Sequence, residues 1–330
     1  MIDSRMKIGC EMKNSYLITG AAGYIGSMLV YKLISEGERV IALVRDLEKA
    51  KKILPEGIDI VTADLTDRPV LQTLAVSCDY IIHCAAVTSS REMQTHPVEV
   101  VRSIVNATQN VLELARRVCP RSMVYVSSME AYGRLDCSDG HLSDEAEAGA
   151  GEVDLLAARS CYPLGKRMAE NLCADYAAEY NVPVKIARLA QTFGRGVLPE
   201  DNRVFAQFAR AAAKGEDIVL HTKGQSMGNY CAIEDTLSGL MTILKKGSNG
   251  EAYNVVNEAN TMTIYKMAEV GSEVLSKGKS HVVIDIPPDN RYGYAADTGL
   301  RLSSKKLREL GWSPTKDLRQ MFLDMAEILH

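Results

Sequence analysis

Ser15-Tyr16-Leu17-Ile18-Thr19-Gly20-Ala21-Ala22-Gly23-Tyr24-Ile25-Gly26 is the stretch that decides the fold of this chain. Five residues with a continuous apolar centre read as a short buried strand that stops at Gly20. The residues beyond Gly26, from Ser27 to Glu36, place Met28, Leu29, Tyr31, Leu33 and Ile34 at helical spacing and end at Gly37. Three glycines at positions 20, 23 and 26 therefore join a strand to a helix. The first permits the tight turn, the second lets backbone N–H groups approach a pyrophosphate, and the third lets the helix pack on the strand. The positive helix end then faces the phosphates. A glycine pattern alone can also be a plain loop; its place between strand and helix favours the dinucleotide reading.

Working outward, further apolar strands are expected at 39–44, 58–63, 80–85, 123–127 and 184–188, with helices between them, notably 98–117 and 162–180. Continuous apolar strands alternating with helices imply an α/β fold, a parallel sheet covered on both faces, with ligands at the carboxyl ends of the strands. The pattern loosens from about residue 190. A first domain of 15–194 plus about 229–256 and a smaller, discontinuous second domain of about 195–228 plus 257–330 are expected. Residues 1–14 read as a polar extension and 134–159 as a surface loop rich in Asp, Glu, Gly and Ala.

The 330 residues are 46% hydrophobic and 24% charged, with a net charge of −4 and no block of like charges. No nucleic-acid groove or membrane-binding basic face is expected. No run of about 18 apolar residues and no secretory leader is apparent, and the eight cysteines lack any Cys-x-x-Cys pair. These features point to a soluble cytoplasmic protein with reduced thiols and without a metal site.

The strand ends carry the chemistry. After the second strand, Leu43-Val44-Arg45-Asp46 offers Arg45 to a 2′-phosphate, which leaves NAD and NADP both open. Asp64 and Leu65, after the third, are placed to hold an adenine. Cys84, Ala85 and Ala86 are small residues where a cofactor must approach the backbone, while His83 reads as a satisfied strand-end histidine. Tyr162 and Lys166 stand four apart on one helix face. A free tyrosine, with a pKa of ~10, is a poor base near neutrality. A neighbouring ammonium and a positive nicotinamide favour its phenolate and make it a usable general base. Ser127 and Ser128 close the fifth strand, where a hydroxyl can hold a substrate oxygen.

At this point the chain resembles the extended short-chain dehydrogenase/reductases that modify nucleotide sugars, the NAD-dependent epimerase/dehydratase group, over about residues 15–315. The resemblance rests on the glycine turn, on Asp79-Tyr80-Ile81-Ile82-His83-Cys84-Ala85-Ala86, on Ser127-Ser128-Met129-Glu130-Ala131-Tyr132-Gly133 and on Tyr162/Lys166. It continues through Arg188-Leu189-Ala190-Gln191-Thr192-Phe193-Gly194, Asp201-Asn202-Arg203-Val204-Phe205 and Leu310-Gly311-Trp312-Ser313-Pro314. Arg159-Ser160-Cys161-Tyr162 with Gly165-Lys166-Arg167 is most similar to UDP-glucuronate decarboxylases, with dTDP-glucose 4,6-dehydratases next. The resemblance implies a Rossmann fold, a doubly wound parallel sheet with a smaller α+β substrate domain at the C-terminal end, and a dinucleotide held by Gly20, Gly23, Tyr24, Ile25, Gly26, Arg45, Asp64, Leu65, Cys84, Ala85, Ala86, Tyr162 and Lys166.

It also implies a nucleotide-sugar substrate touched by Thr88, Gln191, Arg203 and Arg291, and a homodimer built on helices 98–117 and 162–180. Tyr162 then takes the proton of a sugar 4-hydroxyl, Ser128 shares that hydrogen bond, and Lys166 lowers the Tyr162 pKa. Dehydratases carry an acid where this chain has Met129, whereas Glu130 is kept as in the decarboxylases. Decarboxylation or epimerisation therefore ranks above 4,6-dehydration.

Four positions depart from the group: Val44 at the ribose acid, Ile104 at a helix Asn, Gln191 at a phosphate-reading Asn, and Gly228 at a phosphate-binding Arg. A guanidinium forks a phosphate and glycine cannot. Two alternatives stay open: an NADP-linked reductase of a small carbonyl or sugar, and a non-catalytic dinucleotide-binding protein.

Overall fold

A computed structural model describes residues 13–135, 137, 139–198, 201–288 and 297–326. Most of the expected N-terminal extension and Arg291 lie outside these residues. Seven parallel strands form the central sheet: β1 (Ser15–Thr19), β2 (Arg39–Val44), β3 (Asp59–Thr62), β4 (Tyr80–His83), β5 (Ser122–Ser128), β6 (Val184–Leu189) and β7 (Ala252–Val255). Their order is β7-β6-β5-β4-β1-β2-β3. The direction of winding reverses between β1 and β4, and such a reversal opens a crevice at the carboxyl ends of those strands.

Alternation along the strands feeds two cores. On one face Tyr16, Ile18, Val40, Ala42, Ile82 and Val124 pack under α1 (Tyr24–Ser35) and the later helix Ile233–Lys246. On the other, Leu17, Ile41, Ile81 and Met123 pack under α2 (Ala107–Val118) and α3 (Cys161–Tyr180). A third cluster gathers Phe193, Phe205, Phe208, Tyr230, Met267 and Phe322 from α4 (Val204–Lys214), α5 (Ile264–Ser276), α6 (Leu318–Ala326) and the short strands between.

The chain departs from the sequence reading in three places. A seventh strand, β7, extends the sheet beside β6; its four residues include a buried Asn254, which breaks the apolar run that marks the others. The helix expected over 98–117 runs from Pro97 to Val118, but its middle turn, Arg102–Asn106, is a π-helix. The segment 134–159 is more than a surface loop. Ser143 is fully buried and exchanges backbone hydrogen bonds with residues 301 and 303, and Glu145 Oε1 accepts the Asn254 N–H at 2.7 Å. That carboxylate ties the segment to β7.

Candidate active site

The glycine turn sits where the winding reverses. Gly20 has a left-handed φ of +66°, and a Cβ on it would come within 2.7 Å of Ala85 Cα in the segment after β4. A Cβ on Gly26 would run into the Gly20 carbonyl oxygen. Gly23 caps α1 with no side-chain hydrogen bond, so no side chain closes the first turn of that helix. Such a cradle fits a dinucleotide pyrophosphate, because backbone donors and the helix dipole both face it. Tyr24 extends the turn sideways: its hydroxyl donates to the Arg195 carbonyl at 2.9 Å, and the Arg203 guanidinium stands 6.0 Å from its ring centre.

At the outer end, the exposed Arg45 lies close enough to Asp64 for its charge to act there. Burial opposes the Asp64 charge, but two hydrogen bonds from Thr66 and the Arg45 charge outweigh it and hold the carboxyl below its usual range. Leu65 is buried, and its carbonyl accepts from Asn110 Nδ2 at 2.9 Å. Cys84, Ala85 and Ala86 follow β4 as half-buried small residues. His83 is fully buried between the hydroxyls of Thr19 (2.7 Å) and Thr108 (3.2 Å), and burial pulls its pKa down to about 3.

The residues expected to react converge from β5 and α3. Ser128 ends β5 and caps a 3-10 turn, accepting the Glu130 N–H at 3.2 Å. The Ser128 hydroxyl lies close enough to the Tyr162 hydroxyl to favour its phenolate. Burial, followed by the Glu130 charge, pushes the Tyr162 phenol well up; the Ser128 hydroxyl, Arg159 and Arg203 pull the other way. In the protein alone, without the positive nicotinamide that the expectation also invoked, burial sets the direction of the shift. Lys166 Nζ, 5.7 Å from the Tyr162 ring centre, donates to the Val126 carbonyl at 2.8 Å, and burial draws its pKa down to about 8.

One partner was missed by sequence reasoning. Arg159 Nη2 lies 2.8 Å from both carboxylate oxygens of Glu130, and its guanidinium is 5.9 Å from the Tyr162 ring centre. The two residues are 29 positions apart, and only the short turn after β5 brings them together. Arg203 reaches Tyr162 through its charge while its Nε and Nη2 are held by Asp201. Gln191 opens a short strand, with its N–H donating to the Asn229 carbonyl at 2.9 Å. Thr88 is exposed in the segment after β4. A Cβ on Gly228 would run into the buried Tyr230 ring and hydroxyl, so a side chain there would require Tyr230 to move. No helix among the described residues is long and apolar enough to cross a membrane.

With this geometry in place, three comparisons bear on the chain. The NAD dependent epimerase/dehydratase family matches residues 16–257. UDP-glucuronic acid decarboxylase 5 of Arabidopsis thaliana is 30% identical over 312 residues, covering 94% of this chain and 88% of that protein. Among solved structures, UDP-glucose 4-epimerase of Thermotoga maritima with UDP-glucose superposes with a TM-score of 0.81 at 22% identity, covering 95% and 97% of the two chains. dTDP-glucose 4,6-dehydratase of Bacillus anthracis, in complex with NAD, gives 0.76 at 21%, covering 95% and 96%. At these identities the two structures establish the shared fold.

Proposed function

Because the chain belongs to the NAD-dependent epimerase/dehydratase family, we propose that it is an NAD-using enzyme that modifies a nucleotide sugar through transient oxidation at C4, with decarboxylation of a uronic acid first and epimerisation second. The convergence of Ser128, Tyr162 and Lys166 beside the glycine turn carries this reading. A bound NAD supplies a hydride acceptor that can also give the hydride back. Tyr162 Oη takes the 4-hydroxyl proton, and Ser128 Oγ holds the same oxygen. Lys166 keeps a positive charge behind Tyr162, and with a bound NAD it would favour the phenolate form that accepts this proton. The resulting 4-keto uronic acid is a β-keto acid and loses carbon dioxide without a strong extra acid, which suits a chain with Met129 in place of one. Glu130, fixed by Arg159, lines the same corner.

Incubation with UDP-uronic acids, UDP-sugars and dTDP- or CDP-sugars, followed by mass spectrometry, tests the proposal. Carbon dioxide loss from a UDP-uronic acid is expected, and inertness across all of these substrates would sink it. Gly228 supports a second reading, reduction of a small carbonyl without a diphosphate handle; sustained NADPH consumption would mark it. Arg45 bears on the same choice, and identifying the dinucleotide released on denaturation separates NAD from NADP. Thr88, Gln191, Arg203 and Arg291 are proposed to contact the substrate.

We further place the protein in the cytoplasm as a homodimer. The free cysteines favour a reducing compartment, and Val98, Val101, Met168 and Tyr180 leave apolar surface exposed on the two expected interface helices.

A further inference from the structure

Beneath the reactive residues lies a buried ion pair that the chemistry above does not use. Glu170 stands one helical turn from Lys166 and two from Tyr162, so all three share one stripe of α3 and all are buried. Its carboxylate accepts from Ser127 Oγ at 2.5 Å, from Arg188 Nε at 3.1 Å to each oxygen, and from Arg188 Nη2 at 2.8 Å. Arg188, on β6, also donates to the Glu145 carbonyl at 2.8 Å. Ser127 immediately precedes the Ser128 that lies beside Tyr162, so the network reaches the proton-transfer corner through the strand end itself.

A buried ammonium needs an anion near it. The groups facing Lys166 can be taken element by element. On β4 and just after it, His83 is pulled down to about 3 and is neutral, and Cys84 is pushed up to about 12 and stays a thiol. On β5, the Tyr125 ring centre is 4.9 Å from Nζ, and burial keeps that phenol protonated. After β5, Glu130 also supports the Lys166 charge, but less than Glu170 does, and it is paired with Arg159. On α3 itself, burial keeps Tyr162 and Cys173 protonated. Glu170, one helical turn along the same stripe of α3, is the foremost group resisting the fall that burial imposes on Lys166, although Arg188 and Arg167 share its charge.

We propose that Glu170, oriented by Ser127 and Arg188, is the positioning residue of Lys166: its carboxylate is the internal counter-charge that keeps the ammonium protonated behind Tyr162. The proposal relies on the role given to Lys166 above, but its test needs no substrate, so a failed substrate screen and a failed counter-charge are told apart.

The test is a titration of the full-length protein labelled with 13Cε-lysine, with the Lys166 resonance assigned by its loss in Lys166→Arg. The midpoint expected for the native chain is about 8. Glu170→Gln keeps shape and removes charge; it should lower the midpoint by about one pH unit or more, a tenfold loss of proton affinity. Arg188→Lys keeps the charge and disturbs packing, and should leave the midpoint in place. Ser127→Ala removes one of the hydrogen bonds that orient the carboxylate and should lower the midpoint by less than Glu170→Gln does. An unmoved midpoint in Glu170→Gln, or an equal shift in Arg188→Lys, overturns the proposal. Should Glu170→Gln not fold, Ser127→Ala decides alone: a lowered midpoint supports the counter-charge, and a fixed or raised midpoint refutes it.

Discussion

Tyr162, the proposed base, shows how much a residue's chemistry depends on surroundings rather than identity. Its side chain is buried, its phenol is pushed up by that burial, and the Ser128 hydroxyl with two guanidinium charges works against the push. Tyr162→Phe keeps the ring and removes the proton acceptor; turnover should fall by roughly 10²–10⁴ with the melting temperature nearly unchanged. Product formation measured alongside thermal unfolding checks this, and a fully active variant would remove Tyr162 from the chemistry. Lys166 makes a pH prediction of its own. With its proton bound below about 8, the rate should decline as pH rises through that value, provided substrate binding is saturated. A rate still climbing well above that point would contradict the role given to Lys166.

At the scale of elements, the strands and the turn between β1 and α1 were readable because their residues act locally: apolar runs end at glycine, and Tyr162 and Lys166 share a face through spacing alone. What the sequence hides is pairing across elements. Glu130 with Arg159, and Glu170 with Arg188, look like ordinary solvated charges until β5, α3 and β6 come together. β7 hides for a related reason: Asn254 is buried there because its amide donates to the Tyr132 hydroxyl and the Ser303 carbonyl. The same logic governs the attachment of the C-terminal segment. Asp235, in the helix Ile233–Lys246, accepts from Thr315 N (2.9 Å), Thr315 Oγ1 (2.8 Å) and Lys316 N (3.0 Å). Asp235→Ala leaves those donors unmatched and should cost about 1–3 kcal/mol in urea unfolding. A loss below a few tenths would show that water replaces the carboxylate fully.

For the molecule as a whole, His83 sets a limit on acid tolerance. Its folded pKa, about 3, lies below the ordinary value of 6.5. Between these values the unfolded chain binds a proton that the folded chain refuses, so stability is full above about pH 6.5 and drains as pH falls towards 3, by about 1.4 kcal/mol per pH unit for this one group. Urea midpoints measured across that range should flatten in His83→Gln relative to the parent protein; parallel curves would assign the acid loss elsewhere. The proposed homodimer is checked by sedimentation at micromolar concentration, where a monomer would refute it.

The sheet order has a last consequence, for the route by which the chain folds. β1 pairs with β2 on one side but waits for β4 on the other, and Leu17 meets Ile81 only after 64 further residues have been made. Ala187 meets Tyr253 across a similar gap. Contacts of such long range close slowly, because the loop entropy is lost before the pairing is gained. The turn at Gly20 lacks its Ala85 wall until β4 arrives, so a nascent or refolding chain completes this proposed dinucleotide cradle late, when the middle of the sheet closes.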